Sequence, residues 1–400
     1  MITINNNMYV LDTDNTSYAF AVLGSGQLEH LYYGRKLHAN EAVMTEKHTF
    51  IPGNTNVYNK DYSSYSLEDV CLEMSSLGKG DIREPFIEVT YPNGSSTTDM
   101  VFDRAEIIQG KEEYDTLPGS YDDNGEVEQL VIYLKDRNYN LTLELHYYVY
   151  EKCDIITRSA KLVNSGNESV RLERLMSMQL DLNESDYELS FFNGAWAREM
   201  NRIPIRAGKY VNESVTGTSS NRANPFFMIG RSSTTEDYGE CYGFNLIYSG
   251  NHYEAAQVNS YGKLRLVSGI NPATFSYIIE AGKCFEAPEA VLTYSYKGYN
   301  RMSHNMHEFV RKHIVRGSWR DKERPVLINS WEAAYFNINE RKLVKLAKAA
   351  KDTGVELFVM DDGWFGKRDN DFCALGDWVV NEEKIKGGLP ALAERIHGLG

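Results

Sequence analysis

The sequence has few cysteines, a deficit of basic residues and no long apolar run. Its 400 residues include five cysteines and carry a formal net charge of −14. No two cysteines form a Cys-x-x-Cys pair or another metal-ligand spacing, so we expect free thiols, no metal site and a cytoplasmic protein. The acidic balance argues against nucleic acid and anionic membranes as partners. We see neither an apolar run of the roughly 20 residues that span a membrane nor a signal-peptide pattern.

Apolar and aromatic residues are plentiful enough for large folded cores. Hydrophobic residues make up 42% of the chain and aromatic residues 12%, with 27 tyrosines, which excludes global disorder. Aromatic rings stack on sugars, but they also fill β-sandwiches, so composition alone favours ordinary β packing. The length predicts two or three domains.

Residues 1–285 show the alternation that is typical of antiparallel strands. In Asn140–Tyr150, leucines at every second position share a face with Tyr147 and Val149, which predicts a half-buried strand. Met176–Leu182 alternates in the same way. Clusters of Asn, Asp, Ser and Gly separate such runs. We therefore predict an N-terminal antiparallel β-sandwich over residues 1–285.

Residues 286–325 are predicted to form a linker with one connecting helix. The segment Asn300–Arg316 places Met302, Met306 and Phe309 on one helical face. Three histidines in it could suggest a metal site, but no carboxylate stands at ligand spacing, so surface and packing roles are favoured.

Residues 326–400 alternate strand and helix. The expected elements are a strand at Val326–Ile328, a helix at Glu340–Thr353 capped by Asn339, a strand at Val355–Met360, and a helix that begins near Leu389. A (β/α)8 TIM barrel needs eight such units, about 250 residues. We therefore predict only the first β/α units of an incomplete barrel here.

The end of the second of these strands carries the residues that indicate a sugar site. Asp361 and Asp362 stand where the strand ends, followed by Gly363, Trp364 and Phe365. Carboxylates form strong hydrogen bonds with sugar hydroxyls, and neighbours on one turn are better suited to holding a sugar than to cleaving it. A solvated turn would also explain the acids, but two aromatic residues, taken as exposed, favour a ligand.

Two tryptophans extend the predicted site. Trp331, at the end of the first strand, would face the same end of the barrel, although a tryptophan in the barrel core is an equally good interpretation. Trp196 stands between small residues in the predicted loop of Phe191–Glu199. It could cover a ligand or close the end of the sandwich.

Several motifs resemble the bacterial α-galactosidases (melibiases) of glycoside hydrolase family 36. They are NSWEAAYFNINERKL, ELFVMDDGWFGKRDND, LGDWVVNEEKIKGGLPALAERIHGLG and GAWARE. The resemblance implies an N-terminal β-supersandwich, a central (β/α)8 barrel and a C-terminal β-domain. It also implies retaining hydrolysis, without a cofactor, of terminal α-1,6-galactose from melibiose, raffinose and stachyose.

The resemblance also implies roles for individual residues. Asp361 and Asp362 would bind galactose hydroxyls, Trp331 would line the pocket, and Trp196 would approach the substrate from the N-terminal domain. Many members are tetramers, so we expect a homo-oligomer. The family's nucleophile lies in a Lys-Trp-Asp motif, which residues 1–400 lack. We therefore expect the nucleophile and the acid/base beyond Gly400, and an inactive chain as given.

Two alternatives stay open at this stage. One is a transglycosylase that makes raffinose-type oligosaccharides. The other is a non-catalytic galactoside-binding or assembly module in which the sandwich acts. The segment Lys47–Tyr65 does not align clearly with a family loop that contributes an acidic contact, so no residue is carried over there.

Overall fold

The computed structural model describes residues 1–38, 57–58, 60–63 and 66–400. Most of Lys47–Tyr65 lies outside the described residues. Contacts divide the chain into two compact units, Met1–Val315 and Arg316–Gly400. The finer division into 1–285, 286–325 and 326–400 stays a prediction.

The described part of the first unit consists of β-strands, short 3₁₀ turns and one α-helix. Its first strands are β1 Ile2–Asn5, β2 Met8–Asp12, β3 Thr16–Val22, β4 Leu28–Arg35, β5 Ile87–Thr90, β6 Met100–Gln109, β7 Glu128–Asp136, β8 Leu141–Tyr150, β9 Ile155–Asn164 and β10 Val170–Leu182. The remaining strands are β11 Glu188–Asn193, β12 Asn201–Arg206, β13 Lys209–Glu213, β14 Phe226–Gly230, β15 Cys241–Ile247, β16 His252–Val258, β17 Leu264–Ile270, β18 Tyr277–Ile279, β19 Cys284–Glu286 and β20 Glu289–Ser295. The 3₁₀ turns are Lys60–Tyr62, Glu151–Cys153 and Pro272–Thr274, and helix α1 is Gly298–His313.

These strands form three antiparallel sheets. One has the order β1-β2-β3-β4. The second has the order β13-β16-β17-β10-β18, with β5 also paired to β10. The third has the order β12-β11-β14-β15-β20-β9-β8-β7-β6, with β19 also paired to β9. The predicted antiparallel architecture is therefore confirmed, and α1 lies within the segment where a helix was predicted.

The two strands singled out by their alternation differ in burial. In β8, Leu141, Leu143 and Leu145 are buried while the residues between them are partly exposed, as predicted, but Tyr147–Tyr150 is buried on both faces, so the half-buried pattern holds only for the first part of the strand. In β10, the prediction of a half-buried strand is wrong, because Met176–Leu182 is buried on both faces. The polar face is covered: Gln179 binds Ser75, and Asp181 accepts a bond from the backbone N–H of Leu72.

A buried ion pair lies between the four-stranded and the ten-stranded sheets. Glu73 is fully buried and lies 3.1 Å from a guanidinium nitrogen of Arg158 on β9. The hydroxyls of Tyr18 on β3 and Tyr147 on β8 donate to the same carboxylate, and His30 Nδ1 lies 2.7 Å from it. Burial raises the pKa of Glu73, but Arg158 and the hydrogen bonds outweigh burial, so the net pKa is lowered.

The second unit contains β21 Leu327–Asn329, α2 Trp331–Ala334, α3 Glu340–Asp352, β22 Leu357–Val359 and α4 Gly388–His397. Strands β21 and β22 pair in parallel, as expected for β/α units. Asn339 caps α3 by accepting a bond from the backbone N–H of Lys342. Gly354, just after α3, has a φ of +88°, which glycine adopts without strain. No helix in the described residues is long and apolar enough to cross a membrane.

We predict that Glu73→Ala destabilises the first unit by about 3–5 kcal/mol, because it leaves Arg158 buried without its counter-ion. Because the pKa of Glu73 is lowered on folding, its contribution to stability is present at neutral pH and is lost as the pH falls through the folded-state pKa. Urea unfolding followed by circular dichroism measures the change.

Glu126→Ala is the matched control. Glu126 pairs with Lys152 at 2.8 Å, and both side chains are more than half exposed, so its loss is expected to change stability by less than about 1 kcal/mol. Equal effects of the two substitutions would contradict the importance of the buried pair.

Candidate functional site

The candidate site forms where the two parallel strands of the second unit end. Asn329 is in register with Val359, and the backbone N–H of Ser330 donates to the carbonyl of Val359 at 3.0 Å. Because the strands are parallel and level, the polar residues that follow each strand emerge side by side. The site is therefore made from Asn329 and Ser330 on one strand end and Asp361 and Asp362 on the other.

Asn329 connects the two strand ends through its side chain. Its Nδ2 donates to Asp361 Oδ2 at 2.6 Å, and its Oδ1 accepts from the backbone N–H of Trp331 at 2.8 Å. The backbone N–H of Asp361 in turn donates to the Ser330 hydroxyl at 3.1 Å. These contacts fix the position of the Asp361 carboxylate.

Asp362 is held by a different partner. Arg368 Nε lies 3.1 Å from both carboxylate oxygens, and a terminal guanidinium nitrogen lies 3.0 Å from one of them. The hydrogen bond from Arg368 lowers the pKa of Asp362, and the backbone N–H of Gly363 adds to this effect. Asp362 is therefore ionised well into the acidic range.

The two carboxylates differ in how many acceptor positions they have left. Asp361 accepts bonds from Asn329 and from the backbone N–H of Asp362, the latter at 2.7 Å. A carboxylate has about four acceptor positions, so Asp361 retains roughly two. Asp362 retains fewer, because Arg368 and Gly363 occupy most of its positions. Asp361 is thus the better acceptor for two neighbouring hydroxyls.

Trp331 lies beside this site in a cluster of aromatic rings. It is the first residue of α2 rather than part of the first strand. Its ring packs edge-on against Tyr335 and Phe336, with centroids 5.1 and 4.9 Å away. The ring is partly exposed, so an aromatic surface is available next to the carboxylates.

The prediction that both aromatics after the acids are exposed is wrong for Phe365. Phe365 is buried, and its ring lies 4.6 Å from that of Trp378. Trp364 is partly buried against a small core that includes Ile338 and Ile385. These rings pack against other side chains of the second unit and support the acidic turn, so they are not evidence for a ligand.

Lys384 holds the backbone around the acidic turn. Its ammonium group donates to the carbonyls of Phe336, Gly363 and Arg368 at 3.0–3.2 Å. Gly363 has a φ of +93°, and a Cβ there would lie 3.0 Å from the Cα of Phe336. This close packing requires glycine and joins the acidic turn to the segment after α2.

The structure brings three of the four predicted site residues together, since Asp361, Asp362 and Trp331 all lie at the ends of β21 and β22. Trp196 belongs to the first unit, in the loop between β11 and β12, where 92% of its surface is exposed. Its contribution to the site stays a prediction. Sequence reasoning missed Asn329 and Arg368. A signal for Asn329 was available in the sequence, because Asn329 is a polar residue at the end of the first strand and Asp361 follows the end of the second.

Family comparisons match nearly the whole chain. The glycosyl hydrolase family 36 N-terminal domain matches residues 26–280, and the melibiase domain matches residues 284–400. Among curated proteins, alpha-galactosidase AgaA of Geobacillus stearothermophilus is 39% identical over 398 residues, which are 98% of this chain and 54% of that protein. The chain spans about half the length of the curated relatives it matches.

Solved structures agree with this similarity. An α-galactosidase from Lactobacillus brevis has a TM-score of 0.94 at 38% identity, covering 99% of this chain and 54% of that one. A variant of AgaA from Geobacillus stearothermophilus in complex with raffinose has a TM-score of 0.92 at 38% identity, covering 98% of this chain and 55% of that one. The predicted fold class, an antiparallel supersandwich followed by the first β/α units of a barrel, is confirmed.

We predict that Arg368→Gln raises the pKa of Asp362, because the variant removes the positive charge and the fork of donors that stabilise the carboxylate. A ¹³C NMR titration of aspartate-labelled protein would show Asp362 protonating at a higher pH than in the wild type. Lys367→Gln, an exposed neighbour, is the matched control and should leave that titration unchanged. An unchanged Asp362 titration in the Arg368 variant would refute the assignment.

Proposed function

This chain belongs to glycoside hydrolase family 36, and we propose that the protein is an α-galactosidase that removes terminal α-1,6-linked galactose from melibiose and raffinose-type oligosaccharides with retention of configuration. The observation that carries the proposal is the pair Asp361 and Asp362 after the end of β22, level with the end of the parallel strand β21 and beside the partly exposed ring of Trp331. Relatives of similar sequence are α-galactosidases, and one was solved with raffinose bound.

We assign Asp361 and Asp362 to binding of the galactose unit. The backbone N–H of Asp362 donates to Asp361, so the two carboxylates share one turn. Retaining cleavage needs two carboxyl groups about 5–5.5 Å apart on opposite sides of the scissile bond, and two neighbours on one turn do not suit that arrangement. Arg368 also already binds the carboxylate of Asp362. Both observations favour a binding role over a catalytic one. Asp361 accepts hydroxyl hydrogens, while the fixed negative charge of Asp362 favours hydroxyls as neighbours over anionic groups.

Trp331 is proposed to line the same subsite. Sugar rings present C–H groups on one face, and a partly exposed indole provides an apolar surface for them. Trp331 is held by α2 and by two neighbouring rings, so its position does not depend on the ligand. We likewise propose that Trp196 contacts the substrate, on the basis of its GAW motif and its exposure.

The chemical step is proposed to use two carboxyl groups outside residues 1–400, in the half of the relatives' length that this chain does not span. One carboxylate attacks C1 as the bond to the leaving oxygen breaks, and the other acid donates a proton to that oxygen. Water then cleaves the glycosyl ester with the second group acting as base. Two inversions at C1 give net retention, and no cofactor takes part in these steps.

We also propose a cytoplasmic homo-oligomer. All five cysteines are free thiols, which suits a reducing compartment. In the loop of Trp196, Met200 is also more than half exposed, and exposed apolar residues of this kind are typical of surfaces that a partner covers. Light scattering of the purified full-length protein measures the number of subunits, and a monomer would contradict the proposal.

We predict that Asp361→Asn in the full-length protein lowers kcat/KM for raffinose by about 100-fold or more, since each hydrogen bond to a charged acceptor contributes roughly 1.5–3 kcal/mol. Asp352→Asn, on the exposed end of α3, should leave kcat/KM near the wild-type value. Wild-type activity in the Asp361 variant would sink the assignment of this site.

Three further measurements separate the alternatives. The 400-residue chain should not turn over an aryl α-galactoside, and measurable turnover would place the catalytic groups within it. Galactose binding that survives both Asp361→Asn and Asp362→Asn would favour a binding module in the sandwich. Oligosaccharide synthesis that dominates over hydrolysis at high raffinose concentration would favour a transglycosylase.

A further inference from the structure

A buried polar cluster in the sandwich holds the base of the loop that carries Trp196. The cluster consists of His252 and Glu254 on β16 and Asn212 on β13. Their exposures are 0%, 1% and 5%, so none of them is accessible to a ligand. A buried polar group that loses its hydrogen-bond partner is left unsatisfied at a cost in free energy, so a cluster of this kind accepts few geometries.

The cluster makes two bonds to one neighbouring segment. His252 Nε2 lies 2.9 Å from the carbonyl of Ala223, and Asn212 Nδ2 donates to the carbonyl of Asn224 at 2.7 Å. Glu254 connects the two donors, with Oε2 2.9 Å from His252 Nδ1 and 2.7 Å from Asn212 Nδ2. Two consecutive carbonyls are thus bound from two neighbouring strands of the six-stranded sheet, β16 and β13.

The fixed segment in turn supports the Trp196 loop, which lies between β11 and β12 of the ten-stranded sheet. The backbone N–H and the side-chain amide of Asn224 both donate to the carbonyl of Phe192, at 3.2 and 2.9 Å. At Gly194, a Cβ would lie 2.9 Å from the carbonyl oxygen of Asn221. The first residues of the loop after β11 therefore pack directly against the segment that contains Asn221 and Asn224.

The tip of the loop is strained and compact. Ala195 and Arg198 exchange backbone hydrogen bonds at 3.3 and 2.8 Å, which encloses Trp196 and Ala197 in a tight turn. Ala197 and Met200 have φ values of +56° and +53°, a conformation that costs energy for residues with a Cβ. Such a turn persists only when the surrounding structure holds its base.

The structure assigns His252, Glu254 and Asn212 as positioning residues that fix Trp196 through the segment Ala223–Asn224. This inference rests on the proposed substrate contact of Trp196. The three residues touch neither substrate nor reacting atoms, and they act by determining where the loop of Gly194–Met200 lies.

The protonation of the cluster is constrained by geometry. The carbonyl of Ala223 can only accept a hydrogen bond, so His252 Nε2 must carry a hydrogen. The hydrogen bond between His252 Nδ1 and the Glu254 carboxylate then requires a second proton, carried by one of these two groups. Burial raises the pKa of Glu254. Burial lowers the pKa of His252, but the hydrogen bond and charge of Glu254, with a smaller effect from Glu213, raise it overall. Both shifts favour the state in which that proton is present.

The test compares two buried histidines that each bind a glutamate. His252→Phe removes the bond to the carbonyl of Ala223. The control, His30→Phe, removes the contact between His30 and Glu73, which are 2.7 Å apart. In the described residues, neither His30 nor Glu73 contacts the Trp196 loop. In the full-length protein, His252→Phe should speed hydrogen exchange of the backbone of residues 194–200, while His30→Phe should not. Asn212→Ala keeps the His252–Glu254 pair and serves if His252→Phe fails to fold.

Kinetics give the second readout. His252→Phe should raise KM for raffinose by about threefold to tenfold with little change in kcat. In a Trp196→Ala background it should have no further effect on KM. The inference is overturned if His252→Phe raises KM equally in the wild-type and Trp196→Ala backgrounds. It is also overturned if folded His252→Phe or Asn212→Ala protein shows unchanged hydrogen exchange of residues 194–200. If Trp196→Ala alone leaves KM unchanged, the proposed substrate contact fails, and hydrogen exchange still decides whether the cluster positions the loop.

Discussion

The candidate site depends on the parallel, in-register pairing of β21 and β22. Asn329 and Val359 are level, so the residues just beyond them, Ser330 and Asp361, form a hydrogen bond across the strand ends. A shift of one residue would turn every side chain of one strand to the opposite face. Asn329 would then lose Asp361, and the carboxylate would lose the partner that orients it.

Preorganisation of the two acids follows from this pairing. Each carboxylate accepts a bond from the backbone N–H of the residue that follows it, at 2.7 Å in both cases, and Lys384 holds the surrounding carbonyls. A ligand that meets acceptors already in place loses less binding free energy to ordering. Asp361 has free acceptor positions, whereas those of Asp362 are mostly occupied by Arg368, and this difference is set by the protein before any sugar binds.

The sequence predicted features that depend on local spacing and missed those that depend on distant contacts. The alternation in Leu141–His146 and the cap at Asn339 concern residues a few positions apart, and both are confirmed. The burial of both faces of Met176–Leu182 depends on a segment about 100 residues earlier, which supplies Leu72 and Ser75. Likewise, the bond between Asn329 and Asp361 spans 32 residues, and no local pattern contains it.

Buried polar groups in the sandwich stand where elements of different sheets must meet in one arrangement. Apolar side chains drive the sheets together but are tolerant of small shifts, whereas a buried charge that loses its partner is costly. Arg158 and Glu73 set how the four-stranded sheet meets the ten-stranded sheet. His252 and Glu254 serve the same purpose where the six-stranded sheet meets the segment beneath Trp196. The Trp196 loop can therefore keep two residues at positive φ, because the segment at its base is bound by His252 and Asn212, whose hydrogen bonds allow little change in geometry.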